Sequence, residues 1–356
     1  MAGRIVRVLV VDDSPFVRRA VQSALRSHPQ IEVVGTAGDG IEGLQKIAAL
    51  RPDVVTLDIE MPRLNGIGVL ERAAGKVPVG FVMVSTLTES GARITLEALR
   101  KGAIDYVTKP QHGGVTLPEF RANLQQKVLA AAQSKHKVGR MIGRGEAASE
   151  APMLPPNTVR GWVVTIGISC GGPQTLNEML PKFPSDFVPI LITQHMPAQF
   201  TPAFATHLAA CCAMRVREAS DGERIEHGTI YIAPGSHHLR VVRRGVNLLA
   251  KLDDGPLTAG HKPSADVMFA AVAKACGSRS IGVVMTGMGS DGAHGLSVMK
   301  QAGAKTIAQD QETSLVYGMP KVAVATGDVD HVLPLGRIPQ GIARLLRSGS
   351  PAAKVT

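Results

Sequence analysis

The stretch Ile5-Val6-Arg7-Val8-Leu9-Val10-Val11-Asp12-Asp13-Ser14-Pro15 decides how the first third of the 356-residue chain folds. A β-branched apolar run stops abruptly at two carboxylates, and Ser-Pro then offers a helix start. Beyond it, Pro15–Ser27 has helical periodicity, with Phe16, Val17, Ala20, Val21, Ala24 and Leu25 on one side. The alternation then repeats. Strands are predicted at Glu32–Ala37, Val54–Leu57 running into Asp58, Val79–Val84 ending at Ser85, and Asp105–Val107 closing at Lys109. Between them helices are expected at Gly40–Leu50, Gly68–Ala74, Ser90–Lys101 and Leu117–Ala132. Five strands alternating with five helices imply an α/β, doubly wound parallel sheet. Ligands of such sheets bind beyond the carboxyl ends of the strands, where Asp12, Asp13, Asp58, Ser85 and Lys109 fall.

From residue 123 to 160 the periodicity fades into Ala, Gly, Lys and Pro, which reads as an interdomain linker, partly helical at its start. A second α/β domain is expected over 161–347, with a tail at 348–356. Its strands are predicted at Trp162–Ile168, Val188–Thr193, Thr229–Ala233, Ile281–Met285 and Lys305–Ala308. A hairpin is expected from Leu239–Arg243 and Val246–Lys251. Helices fall at Gly172–Leu180, Thr201–Ala210, Ala265–Cys276, Gly292–Ala302 and Gln340–Leu346. Mostly parallel strands make this a Rossmann-like layer as well.

Composition narrows the function. Apolar residues at 44% and charged residues at 19% describe a globular chain. No apolar run reaches the ~18–20 residues of a membrane span, and the N-terminus passes directly into a strand without a signal-peptide pattern. Four cysteines without CxxC spacing form no disulfide framework, so a reduced, cytoplasmic protein is expected. The net charge of +10 raises the idea of nucleic acid, but aromatics are only 3%, leaving little for base stacking. No basic recognition helix is evident, and the excess concentrates around Lys127, Lys135, Lys137, Arg140 and Arg144. Neither nucleic acid nor membrane insertion is expected.

Three carboxylates at the ends of neighbouring strands repel one another unless a cation intervenes, and hard oxygen ligands suit Mg²⁺. Asp58, ending the central strand, is a candidate phosphoryl acceptor, with Lys109 balancing charge and Ser85 donating a hydrogen bond. Singly, each Asp reads better as a helix cap than as a ligand. Together, Val10-Val11-Asp12-Asp13-Ser14, Leu57-Asp58-Ile59-Glu60-Met61-Pro62 with Asn65-Gly66, Val84-Ser85-Thr86 and Thr108-Lys109-Pro110 resemble the receiver domain of response regulators. That resemblance covers residues 4 to about 122. It implies a flavodoxin-like domain (1–122), phosphorylation of Asp58 by a histidine kinase, and Mg²⁺ held by Asp12, Asp13 and Asp58. Tyr106 falls at the position of a switch aromatic and reads equally as a strand tyrosine.

In the second domain Gly167-Ile168-Ser169-Cys170-Gly171 matches G-x-S-x-G at a predicted strand-to-helix turn. Such a turn exposes a serine Oγ and aims the helix's first N–H groups at a developing oxyanion. An anion cradle at a helix N-terminus is the rival reading. Among eleven histidines, His195 lies just past a buried strand, and Asp291 follows another in a glycine-rich turn. His294 is a weaker base, and the adjacent His237-His238 read as surface residues rather than metal ligands. The order Ser169, His195, Asp291 is not that of the standard hydrolases, but such sets are recognised by geometry, not order.

Gly167-Ile168-Ser169-Cys170-Gly171-Gly172-Pro173, Gln194-His195-Met196-Pro197, Tyr231-Ile232-Ala233-Pro234-Gly235 and Met285-Thr286-Gly287-Met288-Gly289-Ser290-Asp291-Gly292 resemble the chemotaxis protein-glutamate methylesterase/glutamine deamidase (CheB) family. With the receiver ahead, the resemblance spans essentially the whole chain. Cys170 stands where the family usually has Thr. The resemblance implies a serine hydrolase that demethylates glutamate γ-methyl esters and deamidates glutamines on methyl-accepting chemoreceptors, with a chemotaxis histidine kinase as phosphodonor. No cofactor is expected for hydrolysis. Oxyanion donors are expected at Cys170, by position, and Met288, by resemblance. The long linker carries the further expectation that the unphosphorylated receiver restrains the catalytic domain.

Overall fold

In the computed structural model the chain divides into two units, Met1–Glu146 and Ala147–Thr356, and residues 4–86, 88–109, 117–143 and 161–348 are described. Among the described residues no helix is long and apolar enough to cross a membrane.

The first unit alternates β1 (Val6–Val11), α1 (Pro15–Arg26), β2 (Ile31–Ala37), α2 (Gly40–Leu50), β3 (Val54–Asp58), α3 (Gly66–Ala73), β4 (Gly80–Ser85), α4 (Glu89–Arg100), β5 (Asp105–Thr108) and α5 (Leu117–Gly143). Its sheet runs β2-β1-β3-β4-β5 with every pair parallel. The order reverses between β1 and β3, so Asp12 and Asp58 flank the switch point. Helix starts follow capping chemistry. Asp39 accepts from the N–H groups of Ile41 and Glu42 at 2.8 and 3.1 Å, and Asn65 accepts from Gly68 at 2.9 Å. The Asn65 cap starts α3 two residues before the apolar pattern indicates. At Gly66 a Cβ would overlap the Asp58 carbonyl, so the return of the chain beneath Asp58 requires glycine.

The last helix is the main departure from expectation. It runs to Gly143, eleven residues past the expected end, through the start of the stretch read as linker. Phe120, Leu124, Val128, Ala131 and Ser134 are buried at helical spacing, and α5 packs on β3, β4 and β5. Lys127 and Lys135 pair with Asp105 and Asp53 at 2.9 and 2.5 Å. A boundary at 122 therefore falls inside a helix. Ala and Lys, whose abundance suggested a linker, are good helix formers. The remaining linker positions, 144–160, and the tail after 348 lie outside the described residues.

The second unit contains β6 (Val163–Ile168), α6 (Gly172–Met179), β7 (Ile190–Gln194), α7 (Thr201–Ala209), β8 (Arg215–Glu218), β9 (Thr229–Ile232), β10 (His238–Arg244), β11 (Asn247–Asp253), α8 (Ala265–Cys276), β12 (Ser280–Val284), α9 (Ala293–Gln301), β13 (Lys305–Gln309), α10 (Met319–Ala325), β14 (His331–Leu333) and α11 (Ile338–Ser348). Seven parallel strands form one sheet in the order β14-β13-β12-β6-β7-β9-β8. Here the order reverses between β6 and β12. The antiparallel β10–β11 hairpin stands apart from the sheet and packs on α8. Strands β8 and β14 and helix α10 were not expected. Both strands are sheet edges, and β8, Arg-Val-Arg-Glu, alternates between exposed and half-buried without an apolar run.

Candidate active site

Parallel pairing aligns the strand ends of the second unit. Ile168 on β6 stands opposite Gln194 on β7, and one residue further the His195 N–H donates to the Ile168 carbonyl at 3.2 Å. On the other side the Ser169 N–H donates to the Thr286 carbonyl, beyond β12, at 3.0 Å. Ser169, His195 and the loop ending at Asp291 thus occupy the carboxyl ends of three adjacent strands, at the point where the order reverses.

The serine sits on a sharp turn. Gly171 caps α6 with φ of 75° and Gly172 begins it. A Cβ on Gly172 would overlap the Gln194 side-chain oxygen, and one on Gly171 would press on Leu315. Gln194 Nε2 donates to the Ser169 carbonyl at 2.9 Å, while Thr286 Oγ1 donates to the Cys170 carbonyl at 2.9 Å. These bonds fix the main chain on both sides of a half-buried serine side chain. The Cys170 thiol is buried beneath the turn, away from the oxidants that reach exposed thiols.

His195 Nε2 lies 2.7 Å from Asp291 Oδ2. The carboxylate also accepts from Ser264 Oγ at 2.6 Å and from the Ala265 and Asp266 N–H groups at 2.7 and 3.1 Å. Burial by itself raises the Asp291 pKa, but the bonds from His195, Ser264 and Ala265 outweigh it and hold the carboxyl at about 2. Asp291 is therefore a fixed anion. His195 Nδ1 is buried and has no hydrogen-bond partner, so the Ser169 hydroxyl does not bond it in this state. Catalytic serine–histidine bonds are often long without substrate.

The other histidines separate cleanly. His294 is exposed, and the Asp291 contact goes to His195 instead. His237 is half-buried and contacts Ser236 Oγ at 2.7 Å. The expectation of a surface His238 is corrected: that side chain is 1% exposed. It accepts from the Ser264 N–H at 3.1 Å through Nδ1 and meets the Pro256 carbonyl at 2.9 Å through Nε2. Adjacent strand residues face opposite ways, so only one of the pair turns inward. Gln194, Thr286, Ser264 and His238 all support the site, and none was singled out from sequence for that role. Gln194 and Thr286 lie within motifs already quoted. Ser264 and His238 carry no local signal at all.

In the first unit, Asp12, Asp13 and Asp58 offer carboxylate oxygens within 4.8 Å of one another. Lys109 Nζ reaches Asp12 at 3.0 Å and Asp58 at 2.8 Å. Burial lifts the Asp58 carboxyl to about 6, against the pull of Lys109 and with Asp12 adding to the rise. One ammonium facing three carboxylates leaves net negative charge, which suits a divalent cation with oxygen ligands. Ser85 Oγ accepts from Thr95 Oγ1 at 2.8 Å and does not bond Asp58. Tyr106 is buried, with Lys127 Nζ 4.8 Å above its ring centre.

The CheB methylesterase profile matches residues 164–342, and the response regulator receiver domain profile matches residues 8–116. A protein-glutamate methylesterase/protein-glutamine glutaminase of Pyrococcus abyssi is 41% identical over 355 residues, covering 98% of this chain and 96% of its own. One of the same name from Agrobacterium fabrum is 45% identical over 344 residues, covering 96% and 97%. Among solved structures, the Thermotoga maritima CheB methylesterase catalytic domain aligns with a TM-score of 0.51 and 38% identity, over 52% of this chain and 98% of that one.

Proposed function

The chain belongs to the CheB methylesterase family and carries a response regulator receiver domain ahead of the catalytic one, and on that premise we propose a phosphorylation-controlled protein-glutamate methylesterase and glutamine deamidase acting on chemoreceptors. The observation that carries this reading is the His195–Asp291 bond of 2.7 Å beside a serine on a strand-to-helix turn. Ser169 Oγ attacks the side-chain ester carbonyl carbon. Because Nε2 is committed to Asp291, Nδ1 is the nitrogen that takes the serine proton. Asp291, already anionic, stabilises the imidazolium. The oxyanion is met by the Cys170 and Met288 N–H groups at the α6 N-terminus and the Thr286–Asp291 loop, each such donor typically lowering the barrier by about 3–4 kcal/mol. Collapse expels methanol, which leaves with the proton from His195, or ammonia when a glutamine is deamidated. Water then repeats the sequence on the acyl-serine and frees the glutamate.

Asp58 is the phosphoacceptor, and a histidine kinase is its donor. Asp12, Asp13 and Asp58 would hold Mg²⁺, which supplies charge neutralisation for phosphoryl oxygens when bound. Lys109 sits where it can meet the phosphoryl group. Tyr106 and Ser85 are the switch residues.

The test is methanol release from methylated receptor membranes, with and without Mg²⁺ and a small phosphodonor. The expected outcome is release that the phosphodonor stimulates, a stimulation missing in Asp58→Asn, and no release in Ser169→Ala under either condition. Near-normal release by Ser169→Ala overturns the nucleophile assignment.

A further inference from the structure

Between the hairpin and α8 the chain from Asp254 to Ser264 crosses the site, and it touches the reacting histidine. The His261 ring lies flat on the His195 ring, centroids 3.8 Å apart and planes within 9°. We infer that His261 is a positioning residue for the hydrolysis, holding the His195 imidazole in the one orientation that gives Nε2 to Asp291 and keeps Nδ1 for the serine. The inference rests on the hydrolase reading above.

The hold is steric. Rotating the imidazole half a turn about its Cβ–Cγ bond would put Cε1 where Nε2 now meets Asp291, and Cδ2 where Nδ1 now lies. That rotation passes through an orientation perpendicular to the present plane, and a ring 3.8 Å away occupies that space. On the edge of the imidazole the Asp291 contact fixes the tautomer, and on its face His261 fixes the plane. Two constraints are needed because a single hydrogen bond leaves the ring free to swing about it.

His261 can only act as a stop if its own segment is held, and the structure holds it at several points. Thr258 and His261 exchange two main-chain hydrogen bonds of 3.0 and 2.9 Å around a turn in which Ala259 and Gly260 both have positive φ. Lys262 Nζ pairs with Asp254 at 2.8 Å, closing the base of the segment. His238, buried beneath it, accepts from the Ser264 N–H through Nδ1. Its proton is therefore on Nε2, which donates to the Pro256 carbonyl. Ser264 in turn donates to Asp291. One segment thus bonds the carboxylate with one end and covers the imidazole face with its middle.

The experiment compares full-length wild type, His261→Ala and His261→Phe. Phenylalanine keeps a flat ring for stacking but cannot donate, accept or titrate. Two readouts are taken: kcat and KM for methanol release, and the proton NMR resonance of the His195 Nε2–H held by Asp291, assigned with His195→Gln. Melting temperatures verify folding. The expected result is a kcat lowered about tenfold or more in His261→Ala with KM within about twofold, because misplacement of a reacting group acts on the chemical step. The Nε2–H resonance broadens or disappears in that variant, and His261→Phe restores both readouts. Wild-type kcat and an unchanged resonance in His261→Ala overturn the inference. So does a His261→Phe variant as impaired as His261→Ala while folded. If the wild type releases no methanol, the hydrolase reading fails separately, and the resonance still decides whether His261 orders the ring.

Discussion

At the scale of single residues, the site depends on one carboxylate with four donors around it. Replacing Asp291 with Asn removes the anion proposed to stabilise the imidazolium and presents an amide NH₂ to the ring, and kcat should fall about 10³–10⁴-fold while the fold persists. The same carboxylate makes a pH-dependent contribution to stability. Its folded pKa of about 2 lies below the ordinary 3.8. The contribution is therefore fully present above about pH 4 and is lost as the pH falls through about 2. It amounts to roughly 2 kcal/mol. Urea unfolding of wild type and Asp291→Asn across pH 2–7 measures it, and the gap between them should narrow below about pH 3. Ser169, His195 and Asp291 were all legible as candidates in the sequence, because each follows a strand in a turn-forming context. Which of the several histidines pairs with Asp291 was legible only as a preference. His195 and Asp291 are 96 positions apart, and strand order alone brings them together.

At the scale of elements, two local devices carry predictions. The turn into α6 leaves no room for a side chain at Gly172, where a Cβ would overlap Gln194. Gly172→Ala should displace the Gln194 amide from the Ser169 carbonyl and reduce turnover sharply, which methanol release measures directly. The long α5 is part of the receiver core, since Leu124 and Val128 are fully buried. Leu124→Ala should destabilise the first unit by about 2–4 kcal/mol, readable as a lowered unfolding midpoint. A residue in a solvated linker would cost almost nothing. Strands and helices with a clear period were readable to within a residue or two, as at Gly40–Leu50 and Ala265–Cys276. The end of α5 was not, because Ala-rich and Lys-rich composition serves helices and linkers alike. Edge strands β8 and β14 escaped for a related reason, since a strand paired on one side needs no apolar run.

At the scale of the whole molecule, two parallel sheets place the two candidate sites at the same kind of location. Each unit gathers its polar residues at the carboxyl ends of strands beside the point where strand order reverses. A chain beginning at residue 147 should retain methanol release, lose all response to the phosphodonor, and show a raised basal rate. A lowered basal rate would mean that the receiver activates rather than restrains. The sequence alone was enough for the alternation of elements, the acidic cluster with its lysine, the serine turn and the family resemblance. All of these are written in contiguous residues and in the period with which apolar side chains recur. The tertiary structure alone decided that Nε2 rather than Nδ1 of His195 holds Asp291, that His238 is buried, and that His261 covers the imidazole. Those facts depend on contacts between side chains distant in sequence, and on ring orientations that packing selects. A sequence specifies both, but its local pattern displays neither.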